Sequence, residues 1–473
     1  MEVRSVVRNS LIASALLLSC QAVFAATFSC KASPKWVSDP SAPAEVPLGK
    51  NADFCEFYQF SWQWFLQLTS VSKADKSLRQ FEVAANFPVL EGDKQNSCDA
   101  KITGTRLFRS LNNVVGGTKI PERTGQAGTS GKGIYDQAGN VVFYDIRFSK
   151  NLCNVGAIQA KPNFPGGTTE IKTAWKQLTA KDDASTYFIM EADIDGVPGK
   201  EKLGLIGFHL AMATDLHPEM IWSSYEHISN TPACNNSAAA SQPWSFASAA
   251  CIQNPASCTF NQAVSVDGIN KHAPTEICTS HPGGTDPSDP NFDKNATALN
   301  DLNIQVNAFL SELKPTNPMA VWKNYKNVGA LWVSDITQPS NDPVTGAALV
   351  SNQRGSLRLA NTVMETDFQN GFTGGAAPVA YSSNCFGCHN YTVDPYYPNT
   401  GPHANFDVSH IFTNDILAGQ CQNPSDIKAG PIWSDKDAQG KCTKTCADKG
   451  GWNGNWTSTE IGIMSVCSCC NAK

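Results

Sequence analysis

The sequence predicts an α+β protein in two parts: a large mixed domain of antiparallel strands and helices, then a small disulfide-rich module. Three observations carry this. Between residues 141 and 228, β-branched and aromatic stretches alternate apolar and polar residues as half-buried strands do. Segments 54–66 and 298–310 space their apolar residues for helices. Finally, Cys442, Cys446, Cys467, Cys469 and Cys470 crowd into residues 426–473, too short a stretch to build a large core unaided.

In chain order, residues 1–25 read as an export leader. Arg4 and Arg8 precede the short apolar run Leu11–Leu18, and Val23-Phe-Ala25 offers a small-residue cleavage site. Leu17-Leu-Ser-Cys20 loosely resembles a lipoprotein box, which makes anchoring through Cys20 the alternative. No segment is long and apolar enough to span a bilayer, which takes about 20 residues. The expected location is therefore the periplasm or the exterior. The 17 cysteines fit that oxidising setting, and the net charge of −6 without a basic stripe argues against nucleic acid as a partner.

Phe54-Cys-Glu-Phe-Tyr-Gln-Phe-Ser-Trp-Gln-Trp-Phe-Leu66 predicts a buried aromatic helix. Strands are expected at 141–148, 186–192, 202–211 and 220–228. Residues 231–297, rich in Ser, Ala, Asn, Pro and Gly, read as a long loop stapled by disulfides among Cys234, Cys251, Cys258 and Cys278, with no core of its own. The helix at 298–310 follows. The boundaries expected are 1–25 for the leader, 26–425 for the large domain and 426–473 for the module.

Chemistry concentrates at Cys385-Phe-Gly-Cys388-His389. Two thiols three positions apart reach the two vinyl groups of one porphyrin edge, and the adjacent histidine turns its imidazole to the iron. With 17 cysteines and eight histidines in 473 residues, the pattern arises by chance about 0.01 times. A zinc site would need a second ligand pair, which the neighbourhood lacks, and a simple disulfide beside an idle histidine is the other alternative. The reading is one covalent haem c on Cys385 and Cys388, with His389 as the proximal iron ligand. Setting these two and Cys20 aside leaves 14 cysteines, an even number compatible with seven disulfides.

Several phrases in order extend this. They are Val141–Ile146, Glu170–Trp175, Leu205–Leu210, Met220–His227, Trp322–Lys326 and Leu359–Thr366, followed by the Cys385–His389 motif. Together they resemble the large-domain bacterial cytochrome c family, which carries a single haem motif late in a mixed domain. That resemblance runs from about residue 52 to 412, and the cysteine-bearing stretch 231–297 departs from it. It implies an exported monohaem cytochrome with an unknown redox partner.

The distal iron ligand has several candidates: His209, His217, His227, Met220, Met364, His403 and His410. A hairpin turning at Asp215-Leu-His-Pro218 would pair residue 209 near 223. His209 and His227 would then share one sheet face, four residues apart, and one of them, with His227 favoured, would be the ligand. The other reading is a pair of hydrogen-bonded core histidines.

In the module, Ala429–Ser434, Asp437–Gln439, Trp452–Trp456 and Met464–Val466 resemble the repeat of a mannan-binding lectin family, in a single copy. The resemblance implies a site for a mannose-rich glycan built from Trp433, Asp437, Gln439, Trp452, Asn453 and Trp456. Indole faces stack on the apolar side of a sugar, and Asn, Asp and Gln meet its hydroxyls. Gly450-Gly451 and Gly454 would form the turns that present Trp452 and Trp456; the alternative is that these tryptophans fill the module core. The function expected is electron transfer by an exported c-type cytochrome held at a glycan surface. A peroxidase-like or oxygen-dependent haem enzyme, or a glycan-binding protein with a structural haem, are the alternatives.

Overall fold

The computed structural model describes residues 28–48, 54–83, 85–90, 107–110, 132–153, 163–194, 199–234, 236–265, 271–342, 348–370, 384–389, 408–409, 425–433, 435–449, 451–460 and 462–470. Residues 1–25 with Cys20, expected to be an export leader, and also His403, His410 and Cys421, lie outside the described residues.

One sheet organises the large domain. Its strands are β1 (Val89–Leu90), β2 (Leu107–Ser110), β4 (Phe143–Phe148), β5 (Thr169–Gln177), β6 (Ile189–Ile194), β7 (Lys200–Met212), β8 (Ile221–His227), β10 (Tyr325–Val333) and β11 (Gln353–Gly355). They run in the order β1-β4-β2-β6-β7-β8-β10-β11, and β5 pairs with both β4 and β7, closing a ring of pairings through β2 and β6. Only β2 with β6 is parallel among these pairs. A separate antiparallel pair joins β3 (Lys132–Gly133) to β9 (Val264–Ser265).

Side-chain alternation gives the sheet two apolar faces. On one, Phe208, Leu210, Met212, Ile221 and Tyr225 meet the aromatic helix Phe54–Thr69 and the helix Phe292–Ser311. The first helix buries Phe57, Tyr58, Phe60, Ser61, Trp62, Phe65, Leu66, Leu68 and Thr69, a broad face of helical period. Phe57 stacks on Trp332 with ring centroids 4.0 Å apart, and Phe65 on Tyr225 at 3.9 Å. Such a buried pair contributes about 1 kcal/mol beyond its area. On the other face, Ala211, Trp222, Leu331 and Val333 are covered by Leu357, Leu359, Phe386 and Val408.

The mixed α+β architecture with antiparallel strands follows the expectation. The strand expected from 186 starts later, because Ala184–Thr186 forms a 3-10 turn capped by Asp183. The stretch 231–297 holds two bridges, Cys234–Cys278 and Cys251–Cys258. It is not coreless: Phe246, Ala263 and Ile277 are buried against Val142, Ile206 and Val363 of the main body. A few well-placed apolar residues suffice once a neighbouring sheet supplies the rest of the core. Its last residues also belong to the helix that begins at Phe292.

The C-terminal module is a separate layer pair. Strands β12 (Ser425–Gly430), β13 (Trp452–Glu460) and β14 (Met464–Cys469) form an antiparallel sheet in the order β12-β14-β13. The helix Asp435–Cys446 covers it, bolted on by Cys442–Cys467 and Cys446–Cys469. Both helical cysteines lie one turn apart on one side, and both strand cysteines two residues apart on one face. With Ile432, Ala438 and Trp452 they make the core.

Candidate functional site

Cys385–Cys388 is a single helical turn lying on the second face of the main sheet. Asn384 fixes it at both ends of its own side chain. Its Oδ1 accepts the Phe386 amide at 3.0 Å, while its Nδ2 donates to Gln353 Oε1 and the Leu357 carbonyl at 2.8 and 2.9 Å. Phe386 is fully buried there, edge-on to Trp222. The turn is thus held by its middle residue and its cap, leaving Cys385 partly exposed.

His389 ends the turn, and its Nδ1 lies 2.9 Å from the Val408 carbonyl. A carbonyl only accepts, so Nδ1 carries the proton and the lone pair resides on Nε2, the tautomer in which imidazole ligates a metal. Trp222 lies against the ring at 4.6 Å.

The two histidines expected to share a face do not. Residue 209 pairs with Ser224, not 223, and Gly207 with Glu226. A one-residue slip in register sends every later side chain to the opposite face. His209 therefore lies on the face of the Cys385–Cys388 turn, whereas His227 lies on the helix-covered face. There His227 stacks on Tyr187 at 4.0 Å, and both ring nitrogens are engaged, Nδ1 with Ser229 Oγ and Nε2 with the Thr186 carbonyl. Burial lowers its pKa to about 4. His227 is a satisfied core histidine, which corrects the expectation that favoured it.

His209 belongs to a polar network that pins residues 359–366 to the sheet. Its Nε2 lies 2.7 and 2.9 Å from the two carboxylate oxygens of Glu365, which also accepts the Asn361 amide. Burial alone would raise the Glu365 pKa, yet His209, Lys172 and that amide hold it below the usual value. One strand away, Glu226 accepts both the amide and the hydroxyl of Thr362. Its burial outweighs these bonds and raises its pKa. No local sequence signal marked Glu365, because its partner is 156 positions away. His217, another candidate, is buried and held between Glu219 Oε1 and the Val46 carbonyl. Met220 and Met364 are buried in apolar clusters.

In the module, the tryptophans divide differently from the expectation. Trp452 is only 5 % exposed, a core residue whose Nε1 donates to the Asn455 carbonyl. Trp456 packs against the same core. Trp433, by contrast, is 69 % exposed. Asp437 is buried rather than offered to a ligand. It accepts the Trp433 amide and pairs with Lys441, each at 3.0 Å, so it sets the backbone that carries the exposed indole. Gln439 lies in the helix and Asn453 in β13, and their side chains lie outside what is described. Sequence reasoning missed Gly462 and Ile463. Gly462 has φ +75° in the turn between β13 and β14, against the Cη2 edge of the Trp433 indole, and Ile463 beside it is 64 % exposed. The signal available was a glycine between two isoleucines, interrupting the alternation of a hairpin.

Residues 435–469 match the family model described as mannan-binding protein. No curated protein and no solved structure matches the chain. The match covers the module alone. Among the described residues no helix is long and apolar enough to cross a membrane.

Proposed function

We propose that this is an exported glycan-binding protein whose C-terminal module takes a mannose-rich glycan on the surface around Trp433. One observation carries the reading: residues 435–469 match a mannan-binding family, and two residues before that segment Trp433 presents an exposed indole on a backbone fixed by Asp437 within it. The test is binding of the full chain to immobilised mannan. Trp433→Ala should weaken retention at least tenfold with the fold intact; undiminished retention would refute the reading.

A second reading concerns the large domain. We propose one haem c, bonded through Cys385 and Cys388, with His389 as proximal ligand. When bound, the group supplies a one-electron couple, and the protein then acts in electron transfer at a glycan surface, with a redox partner of unknown identity. The capped turn, the buried Phe386 and the His389 tautomer support it. Residues 384–389 would position and hold the group, and the hydrogen bond to Val408 would orient the imidazole. Of the two favoured distal candidates only His209 shares a face with the turn, so His209→Ala is the informative variant. A pyridine haemochrome spectrum of protein from a host competent in haem c attachment decides the matter. Colourless protein with the mass of the bare chain removes this reading and leaves glycan binding standing. A high-spin, five-coordinate ferric spectrum would favour the enzymatic alternative.

A further inference from the structure

We propose that Trp222 is a positioning residue, its indole fixing the plane of the His389 imidazole before any haem is attached. The inference rests on the haem reading and deepens it, since it concerns how the proximal nitrogen is aimed.

A histidine ring turns about Cβ–Cγ in a broad, roughly two-fold well, so one hydrogen bond leaves its plane loosely set. Val408 supplies such a bond, accepted from His389 Nδ1 at 2.9 Å. A contact against the ring itself sets the plane. Trp222 makes it, with centroids 4.6 Å apart and the planes tilted by 40°. The same indole meets Phe386 edge-on, centroids 6.4 Å apart. One side chain thus touches both the middle of the Cys385–Cys388 turn and the residue that ends it.

Trp222 is a firm stop because it is itself anchored. It lies in β8 between Ala211 of β7 and Leu331 of β10, its cross-strand neighbours, and is buried. Its Nε1 donates to the Glu219 carbonyl at 3.2 Å, in the turn that leads into the strand. That turn is densely bonded. The His217 amide donates to Thr214 Oγ1 at 3.0 Å and the Met220 amide to the His217 carbonyl at 3.2 Å. His217 Nδ1 lies 2.9 Å from Glu219 Oε1. Met220 is held at φ +64°, a left-handed backbone that a long side chain adopts only when its surroundings impose it. The contacts run from a rigid turn through an indole to the imidazole.

An imidazole whose Nδ1–H donates to a carbonyl is a strong donor through Nε2, and a strong donor favours oxidised, more highly charged iron. A ring free to turn donates less well. Loss of the Trp222 face should therefore raise the reduction potential.

The experiment compares wild type with Trp222→Phe, which keeps an aromatic face, and Trp222→Leu, which does not, each as the full chain. In chain made without haem attachment, NMR of isotope-labelled histidine should show cross-relaxation between the His389 ring and Trp222 in the wild type. The His389 resonance should move in Trp222→Leu as the indole ring current is lost. In chain from a host competent in haem c attachment, redox titration reads the couple. Trp222→Leu should shift the reduction equilibrium at least tenfold, about 59 mV for one electron, and Trp222→Phe less than about threefold. Equal potentials in all three proteins overturn the inference. So does a wild-type His389 ring without cross-relaxation to Trp222, a measurement that needs no variant to fold. A colourless wild type whose His389 ring still contacts Trp222 supports the fixed imidazole and removes the haem reading alone.

Discussion

Replacing Trp452 and Trp433 in turn should have opposite consequences for the module. Trp452 is 5 % exposed, and an indole that deeply buried removes about 240 Å² from water, an upper bound near 6 kcal/mol at 25 cal/mol/Å². Measured truncations of this kind cost about 3–5 kcal/mol. Loss of the Nε1 bond to the Asn455 carbonyl adds to it. Trp433 at 69 % exposure hides roughly 75 Å², and its truncation should cost about 1 kcal/mol once the compactness of the unfolded chain is counted. Hydrogen exchange by mass spectrometry on peptides from β13 and β14 in the full chain reads both. Trp452→Ala should accelerate exchange about a thousandfold, or to the unfolded limit, and abolish mannan retention with it. Trp433→Ala should change exchange less than tenfold, yet still weaken retention at least tenfold. Equal loss of protection in the two variants, or a natively protected Trp452→Ala module, would refute the division of roles.

Two buried histidines should bend the stability of the large domain in opposite directions with pH. His227 is held at about 4 by burial, whereas the unfolded chain binds that proton near 6.5. Stability is therefore whole above 6.5 and falls as pH drops toward 4, by roughly 3 kcal/mol, and His227→Gln should flatten that acid limb in urea melts. For His217, burial acts to lower the pKa, but the Glu219 carboxylate and the Val46 carbonyl outweigh it and raise the value. Its contribution is present below the unfolded pKa and lost as pH rises through the folded one. Exchange of a peptide spanning 40–48 should accelerate over that window, and His217→Gln should remove the dependence. In the module, each bridge restrains the unfolded chain by about 3 kcal/mol over separations of 25 and 23 residues. Reduction of both should unfold it and end mannan binding, while exchange in β7 and β8 stays slow.

The elements with a strong period were legible in the sequence. The aromatic helix, β7, β8 and the helix ending at Ser311 lie close to where periodicity places them, because each buries one continuous face. Register was less legible: pairing residue 209 with 223 rather than Ser224 is an error of one position, and it moved His227 to the wrong face. Nothing local in the Asp215–Pro218 turn fixes that step. The module showed the converse limit. Its tryptophans and turn glycines were visible, but which indole is buried depends on the helix covering the sheet, information held in two disulfides whose pairing the spacing alone leaves open.

Those two bridges also set where the chain tolerates change in length. Four residues from Cys442 to Cys446 climb about 6 Å along a helix, and two from Cys467 to Cys469 advance about 6.8 Å along a strand. The paired sulfurs thus stand like rungs between two rails of matching pitch. Adding one residue between either pair would swing a rung about 100° around the helix or turn it through the sheet. The intervals 442–446 and 467–469 are consequently fixed in length, a stricter requirement than any placed on the identity of the residues between them.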